Sequence, residues 1–387
     1  MRMFDVYPRH DIEFVRAEDV WVWDAAGRRY LDCYGGHAVI SIGHAEPSFT
    51  QRVTAQLARV PFYSNAFANS LQEEYAAVLA AASGYPEHRL FLCNTGAEAN
   101  ENALKLASFH TGRHAVLAVR GAFHGRSSGA IAVTDNPAIQ APYNTGHAVV
   151  FVPLNDVDTL RAAFATHRFA AAIIEGIQGV AGIREPEVDF LTELRALCDH
   201  TGTMLIVDEV QSGCARSGDF FAHHRAGIAA DLVTMGKGMG NGIPVGGVLI
   251  TPRITAIAGM LGTTFGGGQL ACTAAIAVGE VIASRSLAEN AARVGTVLRT
   301  ALADIPGVTA VRGRGLMLGI DTDVPARQLR AALLEDHGVI TGGAGPATVR
   351  ILPPLTFSTA HADTLAAALR TAISEIHDHT HSIGRHA

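Results

Sequence analysis

Short apolar runs recur along the first two thirds of the chain, and helix-like stretches separate them. Strand-like runs cover 89–92, 115–119, 148–152, 171–174, 204–207, 231–234 and 247–250. Helical spacing covers segments such as 97–109 and 190–200. This alternation predicts an α/β fold with a mainly parallel sheet covered by helices on both faces.

The last third changes character. Helices rich in alanine, leucine and arginine are expected over 287–305, 326–337 and 360–377, beside short strands over 308–312, 317–322 and 348–352. That pattern reads as a smaller α+β domain. Near the start, residues 21–32 predict a hairpin that turns at Ala26-Gly27. We expect residues 1–45 to pack with the small domain, 46–278 to form the large domain and 279–387 the small one. No repeat at solenoid or propeller periods is visible.

Composition narrows the function classes. The 387 residues suffice for two or three domains. A hydrophobic share of 48% and a charged share of 17% fit a globular core. The net charge of −6 argues against nucleic acid or an anionic membrane as the main partner. No apolar run has the length of a membrane helix, and Met1 to Pro8 lacks a signal layout. Five cysteines without a C-x-x-C pair predict reduced, buried thiols and a cytoplasmic location. His377, His379, His381 and His386 crowd the end. We read them as a solvated, frayed stretch past the last helix, and expect no metal.

Candidate chemistry centres on Lys237, the only basic side chain in a run that includes Gly236, Gly238, Gly240 and Gly242. Backbone without side chains lets a flat ligand come close to a lysine. Upstream, Leu205-Ile206-Val207-Asp208 is an apolar strand ending in an acid. Acids at the carboxyl ends of such strands lie where α/β sheets bind ligands. A buried acid also needs a partner, which a protonated pyridine nitrogen would supply. Together these residues suggest pyridoxal phosphate, with Lys237 as its Schiff base and Asp208 on the ring nitrogen. The alternative for Asp208 is a helix cap. Gln211 follows at a distance suited to the cofactor's phenolic oxygen.

Three further stretches fit the same ligand. Asn94-Thr95-Gly96-Ala97 follows a strand and opens a helix, whose free N–H groups suit a phosphate. Read alone, it is a plain helix capped by Asn94 or Thr95, since many helices start this way. Phe123-His124-Gly125-Arg126 offers an aromatic ring to stack and a guanidinium for a carboxylate, or simply a core Phe and a surface Arg. Thr263-Thr264, beside Gly266 to Gly268, offers hydroxyls to phosphate, or is a loop without a ligand.

In this order and approximate spacing, these motifs resemble the class III aminotransferases, pyridoxal-phosphate enzymes of fold type I. The likeness runs from the hairpin to Pro354. Within the family, the chain is similar to the acetylornithine and N-succinylornithine aminotransferases through Tyr34 to His44 and Glu175 to Val180.

The resemblance implies that Gly96 and Ala97 hold the phosphate, Phe123 covers the ring, and Asp208, Gln211 and Lys237 bind and work the cofactor. It implies Arg126, Thr263 and Arg350 at the substrate, and Thr264 reaching the phosphate of a neighbouring subunit in a homodimer. The implied reaction moves the 5-amino group of an N2-acylornithine to 2-oxoglutarate. Its products are N-acylglutamate 5-semialdehyde and glutamate, in arginine biosynthesis.

Two departures stand out. Gly176 and Val180 replace the proline and second glutamate of the family's Glu-Pro-x-Gln-Gly-Glu. That glutamate masks the arginine matched by Arg350, so Arg350 is expected to stay open to carboxylates, including one on an acyl group such as succinyl. Gly268-Gln269 replaces an Asn-Pro. The alternatives are another ω-amino acid aminotransferase, an aminomutase or racemase of the same fold, or a regulatory protein without turnover. A nicotinamide-binding protein fits poorly, because no G-x-G-x-x-G follows an early strand.

Overall fold

Seven strands form the central sheet of the computed structural model, which describes residues 1–383 and the side chains of residues 1–379. Across the sheet they run Arg89–Cys93, Gly246–Ile250, Leu232–Met235, Met204–Asp208, Phe169–Glu175, Ala115–Val119 and Val149–Val152. Gly246–Ile250 is antiparallel to both neighbours, while the five strands beyond it run parallel. All seven expected strands are present, with ends shifted by up to two residues. The innermost strands, Phe169–Glu175 and Met204–Asp208, are buried along their whole length. Their apolar runs are what a strand covered on both faces requires.

The helix Gly96–Thr111 lies against this sheet. It buries Ala99, Asn100, Ala103, Leu106 and Ala107, a stripe at three- and four-residue intervals. Small residues in that stripe let the helix approach the strands closely. Because the parallel strands all point the same way, Val119, Glu175, Asp208 and Met235 end at one edge of the sheet. Gly246 begins its strand there and pairs with Cys93. That edge positions the site.

The N-terminal hairpin forms as expected, with Trp21–Asp24 paired to Arg29–Asp32 and Gly27 at a φ of 82°. A third strand, Phe14–Glu18, extends it on one side. On the other, Val339–Ile340 runs parallel to Arg29–Asp32, so the start of the chain joins a sheet with the last third. A separate antiparallel sheet has the order Val308–Arg314, Met317–Thr322, Thr348–Ile351 and Gly342–Ala344. Helices Leu287–Ala303, Ala326–Glu335 and Thr359–Ile383 accompany it.

The sequence reading missed three short strands. Phe14–Glu18 is mostly exposed and has no apolar run. Val339–Ile340 and Gly342–Ala344 are two and three residues long, and the glycines of the second read as a turn.

The C-terminal helix runs further than expected. His377, His379 and His381 therefore lie within it rather than beyond its end. His377 Nε2 is 3.1 Å from Asp323 Oδ1, and His379 Nδ1 is 2.7 Å from the Glu375 carbonyl. His386 lies outside the described residues. All five cysteines are free and buried. Among the described residues, no single helix is long and apolar enough to cross a membrane.

Candidate functional site

Asp208 ends its strand almost fully buried, at 4% exposure. The sequence supplies this acid with one external partner; the fold supplies three of its own. Asn100 Nδ2 donates to Asp208 Oδ2 at 2.7 Å, and His124 Nδ1 lies 2.7 Å from the same oxygen. The Val210 N–H donates to Oδ1 at 2.9 Å, so Asp208 also closes the turn that follows it. Asn100 is itself fixed, accepting from Thr234 Oγ1 at 2.7 Å and donating to the His124 carbonyl at 2.8 Å. Among the described residues, His124 Nε2 is buried with no hydrogen-bond partner.

Glu175 ends the adjoining strand as the register partner of Asp208. Its oxygens accept from the backbone N–H groups of Phe123 at 3.0 Å and Gly179 at 2.9 Å. Burial pushes its carboxyl up to about 7; His124 and the two N–H groups oppose the shift, and Asp208 adds to it.

Lys237 opens a 3-10 turn after the Leu232–Met235 strand, in a left-handed conformation with φ 42°. It is partly exposed, but enough protein surrounds its amine for desolvation to lower the pKa from the usual lysine value. Asp208 and Glu175 oppose that shift, and Arg350 assists it. The neighbouring glycines answer to backbone packing more than to a ligand. A Cβ on Gly236 would stand 3.1 Å from the Gly96 nitrogen, and one on Gly240 2.0 Å from the Ile243 carbonyl.

Gly96 begins its helix beside this turn. Thr95 is the cap, its Oγ1 accepting from the Glu98 N–H at 3.1 Å, while Glu98 Oε2 accepts from the Asn94 N–H at 2.8 Å. Among the described residues, the N–H groups of Gly96 and Ala97 have no partner. Gly96 has to be glycine for packing, since a Cβ would lie 2.4 Å from Val210 Cγ1. Gly125, at φ 138°, brings the loop from Phe123 to Arg126 against Ala97, where a Cβ would lie 2.6 Å from the alanine's own.

The other candidates fall into place unevenly. Gln211 donates from Nε2 to the His37 carbonyl at 3.1 Å. Thr263 Oγ1 accepts from Asn94 Nδ2 at 3.2 Å and from the Gly266 N–H at 3.1 Å, which makes it a fixture of its own loop. Thr264 is exposed beside Phe265, whose ring lies 5.2 Å from that of Phe62. Phe123 is partly buried. Arg126 is exposed, with no side-chain hydrogen bond or ion pair among the described residues.

Arg350 corrects an expectation. It has no carboxylate partner among the described residues, but it is not open: only 5% of its surface is exposed. Its Nε donates to the Gly343 carbonyl at 3.0 Å, Nη1 to the Gly179 carbonyl at 3.3 Å and Nη2 to the Tyr34 hydroxyl at 3.0 Å. Val180, in contrast, is 45% exposed.

Asn100, His124, Glu175 and Tyr34 escaped the sequence reading as members of the site. Two of them left signals. Asn100 is the polar member of a buried apolar stripe, and Glu175, like Asp208, closes a buried apolar strand. Nothing local signalled the link from Tyr34 to Arg350, which spans 316 positions of the chain.

Free N–H groups at a helix start, an enclosed lysine, a buried acid and an aromatic at one sheet edge suit a flat, anionic cofactor. Comparison with known proteins agrees. The family model for class-III aminotransferases matches residues 6–373. An acetylornithine aminotransferase of Corynebacterium efficiens is 38% identical over 385 residues, covering 97% of this chain and 95% of that protein. Two solved structures are also similar. The acetylornithine aminotransferase of Elizabethkingia anophelis has a TM-score of 0.83 at 27% identity, covering 96% of this chain and 95% of that one. The ornithine aminotransferase of Toxoplasma gondii has a TM-score of 0.90 at 25% identity, covering 97% and 92%. That structure is described with pyridoxal phosphate at partial occupancy in its active site.

Proposed function

This chain belongs to the class-III aminotransferases, and we propose that it transfers the side-chain amino group of an N2-acylornithine to 2-oxoglutarate. The products are an N-acylglutamate 5-semialdehyde and glutamate, which places the reaction in arginine biosynthesis. One observation carries the reading. Lys237, its amine desolvated by the surrounding protein, lies near enough to Arg350 for the guanidinium to help lower its pKa, and Arg350 has no acid partner among the described residues. A lysine suits amino transfer, and an arginine without an acid partner suits a substrate carboxylate; Arg126, exposed and without a partner among the described residues, would take a second one.

The cofactor is pyridoxal phosphate. Gly96 and Ala97 would hold its phosphate, Phe123 its ring face, Asp208 its ring nitrogen and Gln211 its phenolic oxygen. Lys237 would be its covalent anchor. When bound, the cofactor supplies an electron sink for the carbon that loses a proton.

The chain's own groups do the rest. Lys237 takes the proton from the substrate carbon that carries the amino group and holds it for later return, a task its lowered pKa favours because more of the amine is neutral. Asp208, fixed by Asn100 and His124, would face a protonated ring nitrogen with its carboxyl group. Arg126 and Arg350 orient carboxylates, so the reacting carbon meets Lys237 in one pose.

A second copy of the chain completes this reading. Phe62, Tyr63, Phe67 and Phe265 are all exposed. Exposed aromatics close together are costly in a monomer and suit an interface. On this reading Thr264, exposed beside Phe265, would serve the partner's phosphate. Sedimentation should find a dimer, and Phe265→Asp should weaken it; a stable wild-type monomer would exclude the shared threonine.

The reaction is tested with purified holoenzyme, 2-oxoglutarate and a panel of amino donors, following glutamate. We expect N2-acylated ornithines to exceed free ornithine and other ω-amino acids by about tenfold or more in kcat/KM, the worth of one well-made contact. Equal or better turnover of unacylated donors would remove the acylornithine from the proposal.

A further inference from the structure

Arg350 is buried, yet among the described residues its three hydrogen bonds all go to uncharged oxygens. Two are the backbone carbonyls of Gly343 and Gly179, which are fixed by the chain. The third is the hydroxyl of Tyr34, the only side chain that holds the guanidinium among the described residues. The guanidinium carbon also lies 5.7 Å from the centre of the Tyr34 ring.

The fold makes room for this contact deliberately. Gly342 is the register partner of Arg350 on the neighbouring strand, so their Cβ directions share a face of the sheet. A Cβ on Gly342 would lie 2.1 Å from Cε2 of Tyr34. The tyrosine ring fills the space that a side chain there would need.

Tyr34 is itself tethered. Its hydroxyl accepts from Arg350 and shares a hydrogen bond with His37 Nδ1 at 2.5 Å. His37 reaches back through an unusual turn, in which Gly35, Gly36, His37 and Ala38 all have φ between 54° and 68°. Left-handed residues other than glycine are strained and persist where the surroundings hold them. Asp32 anchors the turn by accepting from the N–H groups of Tyr34 and Gly35 at 3.0 and 2.8 Å. Gln211 Nε2 holds it at the His37 carbonyl.

A carboxylate in place of this phenol would neutralise Arg350 and would have to leave before a substrate carboxylate could bind. A hydroxyl orients the guanidinium and leaves its charge intact. We propose that Tyr34, steadied by His37, is a positioning residue that presents Arg350, still charged, to a carboxylate of the amino acceptor. The assignment rests on the acceptor being a dicarboxylate, as in the reaction above.

The test uses holoenzyme and glutarate, a dicarboxylate that cannot react, titrated by calorimetry. Tyr34→Phe keeps the ring and removes the hydroxyl. Its Kd for glutarate should rise roughly tenfold, the lower end of the worth of a hydrogen bond to a charged group. KM for 2-oxoglutarate should rise with it, by a larger factor than any fall in kcat or in the single-turnover rate with the amino donor. Gly342→Ala, which pushes the ring aside, should reproduce the pattern, and His37→Leu should move both constants the same way by less. Unchanged glutarate affinity in Tyr34→Phe, or an equal loss in the donor half-reaction, overturns the assignment. Wild-type enzyme that binds no glutarate and makes no glutamate from 2-oxoglutarate would instead refute the acceptor.

Discussion

Asn100 reaches Asp208 from the second turn of the helix that Gly96 opens, with 2.7 Å between Nδ2 and Oδ2. One rigid element thus sets two parts of the site. Its first turn points free N–H groups outward, and its second fixes the buried acid. The distance between the free N–H groups and the buried acid is therefore built into a helix rather than left to a loop.

Removing that link should cost both stability and activity. Asn100→Ala leaves Thr234 Oγ1, the His124 carbonyl and Asp208 each short of a partner in a buried place. A loss of about 1–3 kcal/mol is expected for such groups. The denaturation midpoint should fall, and kcat should drop by about tenfold or more as Asp208 loses its fixed orientation. A variant with wild-type kcat would show that His124 and Val210 suffice.

Glu175 should make stability depend on pH in an unusual direction. Its carboxyl is raised to about 7 from 4.5. The folded protein therefore binds this proton more tightly than the unfolded chain does. Its contribution is fully present below about 4.5 and is lost as pH rises through 7, by at most ~3 kcal/mol. Glu175→Gln cannot ionise, and it leaves one of two N–H groups without an acceptor. It should start less stable than wild type at low pH and close the gap as pH rises. Denaturation midpoints across that window decide it; a constant gap would mean Glu175 does not titrate there.

Gly96→Ala tests the cofactor cradle. The new Cβ meets Val210 at 2.4 Å, and overpacking of this kind costs about 1–3 kcal/mol. The strain falls on the helix start, so the N–H groups of Gly96 and Ala97 should shift. Pyridoxal phosphate should dissociate about tenfold more readily, measured by its absorbance after dialysis, with a smaller change in the midpoint of the cofactor-free protein.

Val180→Glu puts back an acid one residue from the carbonyl that Arg350 holds. Val180 is exposed, so the new ion pair should be weak, worth about 0–1 kcal/mol. KM for 2-oxoglutarate should rise about two- to fivefold at low salt and less at high salt. An unchanged KM at low salt would show that position 180 cannot reach the guanidinium.

Lys237→Ala should lower turnover by about 10²–10⁴-fold, the range for losing a general acid–base, while the fold persists. The substitution removes a desolvated amine, so a large loss of stability is not expected. Circular dichroism beside steady-state kinetics separates the two outcomes.

How much was legible depends on the distance over which each feature is specified. The Met204–Asp208 strand was readable because four apolar residues and a closing acid stand next to each other. So was the opening of the Gly96 helix, where cap, glycine and acid lie within five positions. The glycines around Lys237 were visible but open to misreading: they admit Gly96 and Ile243, and a one-dimensional pattern cannot say what approaches a glycine. Arg350 was named as a substrate residue, yet its burial was not legible. Its covers, Gly179, Gly343 and Tyr34, come from three separate segments.

The sequence by itself determined the alternating strands and helices, the sheet edge expected to gather the chemistry, and the candidate lysine, acid and arginines. These are local matters of periodicity, caps and residue type. Only the tertiary structure decided which groups hold those residues. Asp208 meets Asn100 and His124 across 108 and 84 positions, and Arg350 meets Tyr34 across 316. Contacts of that span follow from sheet order and register, and a buried charge takes its strength and direction from whichever atoms the packing brings within reach.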